Sequence, residues 1–414
     1  MDRIKQLASH LSGSSTGPAA LHAKHADDVV ITMAIRSPLC KAKKGGFKDA
    51  RTDELLLELF NRTLERTKFD PSLIGDICVG TVLTPSAAWP CRAAALAAGI
   101  PESVPVQVIN RFCSSGLMAV TTIANQIRSG QIEVGLAVGV ESMSENPDAG
   151  GPTLSPDVSS HAAAADCVKS MGWTSENVAQ DFKVSREDMD AFAAQSFQRA
   201  EAAAKAGIFK DEIVPFNVYQ VDVATGERKR VTVTEDDGVR PGTTKDSLGK
   251  LRAAFPQWGN SSTTGGNASQ ITDGAAAVML MTRRKAEQLG LPILAKHATT
   301  AVTGLSPRIM GIGPVSAIEG VFRQLNITKE DVDLFEINEA FASQCLYSIR
   351  ALNLDQSKVN VHGGAIAFGH PLGCTGARQI ATGLNALKER EGKVLLTAMC
   401  IGTGMGAAAV FVAE

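Results

Sequence analysis

Aromatic side chains are scarce in this 414-residue chain, at 5%, with two tyrosines and three tryptophans. Glycine is abundant, with 38 residues, so tight turns and close backbone packing must do what large rings do elsewhere. Net charge is also nearly absent: a formal −2 gives no reason to expect nucleic acid or an acidic membrane as partner, and any basic site has to be local. No apolar run approaches the length that spans a bilayer. Neither a CxxC pair nor an HExxH occurs, and the seven histidines are scattered, so no metal site is assigned. The eight cysteines are irregularly spaced and no secretory signal precedes them. That favours free thiols in a reducing compartment over a disulfide framework. What remains is ordinary globular composition, 44% hydrophobic and 20% charged, in a chain long enough for two or three domains.

The first residues differ from the rest. "RIKQLASHL" places Ile4, Leu7 and Leu11 on one helical face with Arg3, Lys5 and His10 around it, and "SGSSTG" follows as a flexible linker. By pattern alone this is either a frayed terminal helix or an address read by a receptor; basic residues are too few for an Arg-rich presequence.

Beyond the linker, "DDVVITMAI" reads as a buried strand, Thr52 to Lys68 as a helix and "DICVGTVL" as another strand, the alternation of an α/β fold. The order of elements then repeats. "GDICVGTVL" has a counterpart in "VDLFEINEA". The turn containing Cys113 leads into a helix with Leu117, Val120, Ile123 and Ile127 on one face, which stops at Gly130 before the strand "VGLAVGV". In the second half, "VNVHGGAIAFGHPLGCTG" leads into a helix carrying Ile380, Leu384 and Leu387, and "KVLLTAM" follows. "GAAAV" occurs in both halves. The sequence therefore predicts two copies of one α/β unit, separated by a long insertion, roughly Glu145 to Asn260, with a helix around "SREDMDAFAAQSFQRAEAAAKAG". Such an insertion builds a binding site or lid, or is a solvated excursion.

Candidate chemistry gathers at predicted strand ends. Cys113, in "VINRFCSSGLMAV", sits where a strand gives way to a helix, and the positive end of a helix favours a thiolate. Ser114 and Ser115 are natural caps for that helix, and the absence of a GxSxG elbow argues against a serine nucleophile. A cysteine alone is more often buried and inert. His370 changes that balance: glycines surround it, Pro371 fixes the backbone after it, and its place in the second repeat parallels that of Cys113 in the first. An imidazole that accepts a thiol proton makes a competent nucleophile. "MCIGTGMG" adds Cys400 beside a glycine turn in which the Gly402 N–H is a candidate oxyanion donor, and "INEAFASQ" puts Asn338 and Glu339 at a strand end. Cys374 is read as packing. Two thiols, an imidazole and an amide suit acyl transfer through a thioester.

"CSSG", "NEAFA", "GHPLGCTGAR" and "CIGTGMGAAAVF", with "GNASQITDGAAAV" and "MGWTSENVA", closely resemble the thiolase family from about Asp27 onward. Within it the similarity is greatest to the peroxisomal 3-ketoacyl-CoA thiolases. The resemblance implies a thiolase-like fold of two pseudo-symmetric α/β repeats in a layered α-β-α-β-α core. Its divisions would be 1–26, targeting segment and linker; 27–144 with 261–289, the first repeat; 145–260, a loop domain for CoA; and 290–414, the second repeat. It implies Cys113 as nucleophile, His370 as its base, Cys400 as the second acid/base, and Asn338 and Gly402 as oxyanion groups. Ser269 would meet pantetheine, Met171 the acyl chain and Arg240 the nucleotide. CoA is then a substrate and no cofactor is needed. The family's N-terminal pattern, Arg-Ile, five residues, His-Leu, fits Arg3, Ile4, His10 and Leu11, implying a type-2 peroxisomal signal and its import receptor; a homodimer is implied as well. A biosynthetic acetoacetyl-CoA thiolase shares the same residues, and a thiolase-fold lipid-binding protein is the alternative of another class.

Three positions depart from the family pattern: Phe112 where Gln is common, Phe368 where Leu is usual, and "SMGWTSENVA" without the usual His or Pro before its Met. They bear on the shape of the acyl pocket rather than on the chemistry.

Overall fold

The computed structural model describes residues 16–258 and 261–414, so the Arg3–Leu11 segment lies outside the described residues. The first half supplies strands β1 (Val29–Arg36), β2 (Cys40–Lys41), β3 (Asp76–Gly80), β4 (Val106–Ile109) and β5 (Val134–Ser142). The insertion contributes a hairpin, β6 (Phe216–Val221) and β7 (Arg228–Val233), before the chain returns through β8 (Thr272–Thr282). The second half supplies β9 (Ala295–Gly304), β10 (Leu334–Ile337), β11 (Val394–Ile401) and β12 (Met405–Ala413).

The strand order β10-β11-β12-β9-β1-β8-β5-β3-β4 contains the repeat. In one half β10 runs parallel to β11, which is antiparallel to β12, which is antiparallel to β9. In the other, β3 is parallel to β5, antiparallel to β8, antiparallel in turn to β1. The two halves join where β1 pairs antiparallel with β9, at Val30 with Lys296 and Ile31 with Ala295. β5, β8 and β11 are buried at every position, because helices cover both faces and leave no solvent side to alternate with.

Among the described residues, the longer helices are α1 (Thr52–Thr67), α2 (Ala88–Ala97), α3 (Ser115–Arg128), α4 (Met171–Asp181), α5 (Arg186–Ala206), α6 (Gly313–Leu325), α7 (Ala342–Ala351) and α8 (Thr375–Glu389). The faces read from the sequence are the buried ones: Leu117, Val120, Ile123 and Ile127 of α3 share a core with Ile380, Leu384 and Leu387 of α8. Burial of each such side chain contributes roughly 1.5–3 kcal/mol. Between the sheets, α3 and α8 touch backbone to backbone: a Cβ on Gly376 would lie 2.3 Å from the Leu117 nitrogen. Outside, α1 covers the first half-sheet and α6 the second, giving the five α-β-α-β-α layers.

The insertion also folds as its sequence predicts at α5, where Ser185 Oγ accepts from the Asp188 N–H and Gly207 closes the helix in the left-handed region. It is moored to the scaffold by a buried guanidinium. Arg36, at the end of β1, donates to both carboxylate oxygens of Asp236, at 2.6 and 2.9 Å, and to Glu212 at 2.6 Å. Burial alone would lower the pKa of Arg36, but the two carboxylates outweigh it and raise it.

Candidate active site

The connection from β4 to α3 is a tight turn. Phe112 takes a left-handed φ of 46°, and Cys113 follows it, 7% exposed. The serines serve this turn differently from the capping expected. Ser114 occupies the N-cap position without a side-chain cap; its hydroxyl donates to the Arg111 carbonyl at 2.9 Å. Ser115 Oγ donates to the Phe112 carbonyl at 2.7 Å and accepts the Arg111 N–H at 2.9 Å. They hold the Cys113 backbone in place. The expectation that the helix start favours a thiolate is corrected: burial raises the Cys113 pKa to about 11, and the N–H groups of Gly402 and of Cys113 itself offset this only in part. Helix ends act within one turn and weakly, whereas removing a charge from water acts on the whole group.

Those same N–H groups place Gly402 against the Cys113 thiol. Cys400, at the end of β11, is close enough that charge on Cys113 raises its pKa, although burial is the larger cause. Cys400 packs with Met310 and Ala340, and Met171, at the start of α4, lies against that cluster. Cys374 is buried in the core and its pKa is pushed up to about 12, as expected for a packing thiol.

His370 is buried, 4% exposed. Its backbone N–H donates to the Gln270 carbonyl at 2.9 Å. Gly369 before it has φ +107°, and a Cβ there would lie 2.2 Å from the Thr272 side chain, so only glycine fits. The ring's hydrogen bonds run to Asn338 Nδ2 at 3.2 Å through Nε2 and to Thr375 Oγ1 at 2.6 Å through Nδ1. Thr375 spends its only hydroxyl proton on the Pro371 carbonyl, 3.0 Å away, and therefore accepts from Nδ1–H. That assigns the lone pair to Nε2, the nitrogen facing Asn338. Burial first, and the Arg378 charge second, lower the His370 pKa to about 3. The Cys113 thiol and the His370 imidazole are thus both neutral at rest.

The loop bearing His370 is held from outside. Glu141, buried in β5, accepts from the N–H groups of Gly373, Val82 and Leu83 at 2.9 to 3.0 Å. Glu339 accepts from Asn360, Ser196 and the Ile366 N–H, and burial raises its pKa. The parallel between His370 and Cys113 needs refining. A parallel bridge joins Arg111 to Cys113 and its counterpart joins Val361 to Gly363. Cys113 stands two residues before α3, whereas Gly363 stands twelve before α8, and His370 lies in the added residues.

The other expected residues fall around this centre. Asn338 follows β10, donates its N–H to the Ala398 carbonyl at 2.8 Å, and has a buried Oδ1 without a protein partner. The Ser269 N–H donates to the Ala340 carbonyl at 2.9 Å, beside Asn338 and Cys400. Arg240 is exposed in the insertion, with its guanidinium 5.6 Å from the centre of the Phe197 ring. Phe368 does not line the pocket: it is buried edge-on against Phe209, their centroids 5.2 Å apart, because its side chain points into the core beneath the loop. Phe112 is exposed and faces Gly402. A separate cavity of about 790 Å³ opens at the seam between the half-sheets, lined by Thr32, Met279, Leu384 and Glu414, and contains none of the candidate residues. Sequence reasoning missed Thr375, Glu141 and Gln270. Thr375 and Gln270 lie inside segments already singled out and Glu141 directly follows one, but nothing local marks them as partners of His370 or its loop.

Comparison with known proteins gives the family. The family "Thiolase, N-terminal domain" matches residues 29–284 and "Thiolase, C-terminal domain" residues 291–413. The peroxisomal 3-ketoacyl-CoA thiolase of Yarrowia lipolytica is 52% identical over the full length of both chains. Peroxisomal 3-ketoacyl-CoA thiolase B of Rattus norvegicus is 49% identical, covering 99% of each. Among solved structures, the dimeric peroxisomal thiolase of Saccharomyces cerevisiae superimposes with a TM-score of 0.89 at 46% identity, covering 96% of this chain and all of the other. The chain belongs to the thiolase family.

Proposed function

We propose that this chain is a 3-ketoacyl-CoA thiolase of fatty-acid β-oxidation, an acyltransferase that cleaves 3-ketoacyl-CoA with CoA into acetyl-CoA and an acyl-CoA two carbons shorter. The observation that carries this reading is the Cys113 thiol with the Gly402 N–H against it and Cys400 beside it, together with a buried His370 imidazole held between Thr375 at Nδ1 and Asn338 at Nε2.

Because thiol and imidazole rest neutral, proton transfer from Cys113 to His370 Nε2 is coupled to attack on the 3-keto carbon. The C2–C3 bond then breaks, leaving the acyl group on Cys113 and an acetyl-CoA enolate, which Cys400 protonates. Cys400 next takes the proton from incoming CoA, whose thiolate accepts the acyl group from Cys113, and His370 returns its proton to the departing Cys113 sulfur. One oxyanion site is His370 Nε2–H with a water held by Asn338; the other is the pair of N–H groups of Cys113 and Gly402. Each preorganised donor is worth ~3 kcal/mol. Ser269 meets the pantetheine, Met171 the acyl chain and Arg240 the nucleotide. CoA enters as substrate and no bound cofactor is required. Human mitochondrial 3-ketoacyl-CoA thiolase, solved in complex with CoA, shares the fold at a TM-score of 0.82 and 35% identity, which supports the CoA assignment.

Peroxisomal residence follows from the relatives, with Arg3, Ile4, His10 and Leu11 as a type-2 signal for the import receptor. Removing Met1 to Leu11 should abolish import, and unchanged import would refute the signal. The working unit is a homodimer: β4 is a half-buried sheet edge, and Trp89, at the start of the neighbouring α2, is 81% exposed. The deciding assay is thiolysis across acyl-chain lengths. Turnover of long-chain 3-ketoacyl-CoA is expected; turnover confined to acetoacetyl-CoA would instead make the enzyme biosynthetic.

A further inference from the structure

We propose that Gln270 is a positioning residue that locks the His370 loop to the insertion, so that the imidazole and the segment carrying Arg240 move as one unit. The inference rests on the thiolase reading for the identity of the ligand, but its geometry stands apart from that reading. Gln270 Nε2 donates to the carbonyls of Gly238 at 2.8 Å, Ala367 at 2.9 Å and Ile366 at 3.2 Å. Its own backbone carbonyl accepts the His370 N–H at 2.9 Å. One residue therefore holds both sides of a junction, and holds His370 directly.

Each acceptor needs this donor. Ile366 and Ala367 lie in the four-residue helix Ala365–Phe368, whose last carbonyls have no partner within so short a helix. Gly238 follows Asp236 and Asp237, which accept from Arg36 and from the Lys41 N–H. The Gly238 backbone presses on the helix end so closely that a Cβ there would lie 2.7 Å from the Ala367 carbonyl oxygen and 2.8 Å from that of Phe368. Three carbonyls converging at such a contact repel one another unless an N–H lies among them. The Gln270 amide supplies it, and two residues beyond Gly238 is Arg240. Ser269, the neighbour of Gln270, is held against Ala340. The short run Ser269–Gln270 thus joins three segments that the chain brings from far apart: 238–240, 338–340 and 366–370.

The test replaces the donor without changing size. Gln270→Glu puts carboxylate oxygens where the N–H groups were. Thiolysis kcat should fall ~10²-fold, with KM for the acyl substrate changing far less, because a displaced imidazole misses its reaction geometry. Hydrogen exchange should accelerate together in 236–240 and 364–370, while β5 and β11 stay protected. Gln270→Lys, whose ammonium offers three N–H donors, should recover most of kcat and protection. If the Glu variant does not fold, Gln270→Ala must show the same paired loosening. Exchange that rises in only one of the two segments, or a Lys variant no better than Glu, overturns the proposal. Should the unmodified protein lack thiolysis, the functional reading fails, and the paired exchange response still decides the lock.

Discussion

The two connections that lead into α3 and α8 start from equivalent strand positions and end at equivalent helices, yet they are built on opposite terms. The first is two residues long from Cys113 and is tied to itself: Ser114 and Ser115 bond to carbonyls three residues back, and Phe112 bends the chain. The second is twelve residues long from Gly363 and is held by Glu141, Gln270 and Glu339, which come from other parts of the chain. On the proposed reading, Cys113 as nucleophile gains from a rigid, self-contained turn because its own N–H then serves as an oxyanion donor. His370 as base has to hold one tautomer and yet change charge, which needs partners around its ring that a short turn has no room for.

The comparison can be broken at several points. The largest expected effect is at the short turn: Cys113→Ala should lower thiolysis by on the order of 10⁴-fold or more while CoA still binds by calorimetry. Retained turnover would remove Cys113 as nucleophile.

The long loop should respond at Thr375. Thr375→Val keeps the shape but removes the acceptor for Nδ1–H, so the imidazole no longer favours the Nε2 lone pair. A fall in kcat of ~10²-fold is expected, with Thr375→Ser restoring activity to within a few-fold. If Val and Ser behave alike, the tautomer argument is wrong.

Acidity separates the two connections in another way. With Cys113 raised to about 11 by burial, its thiolate fraction at neutral pH is small and grows as pH rises toward that value. Inactivation by iodoacetamide should therefore accelerate ~10-fold per pH unit between about pH 7 and 9. With His370 lowered to about 3, no imidazolium forms in that window to produce a plateau. A rate already flat above pH 7 would mean that thiolate and imidazolium coexist at rest.

The smallest effect concerns the turn's own bracing. Ser115→Ala removes a donor to Phe112 and an acceptor for the Arg111 N–H, costing ~1–2 kcal/mol, visible as a drop of a few degrees in Tm. An unchanged Tm would show that the turn does not need it.

Sequence by itself determined whatever rests on periodicity and near neighbours. The α/β alternation, the doubled unit, the buried faces of α3 and α8, the start and stop of α5 and the identities of Cys113, His370, Cys400, Asn338 and Gly402 as the candidate centre were all legible, because apolar spacing and short motifs are local properties. Only the tertiary structure decided that the thiol rests protonated, since desolvation depends on everything packed around Cys113. It also decided that Phe368 faces the core, that His370 belongs to an added stretch rather than to a strict twin of Cys113, and that Thr375, Glu141 and Gln270 hold it. Those facts depend on which atoms lie within about 3 Å across long chain separations, and no pattern along the chain carries that distance.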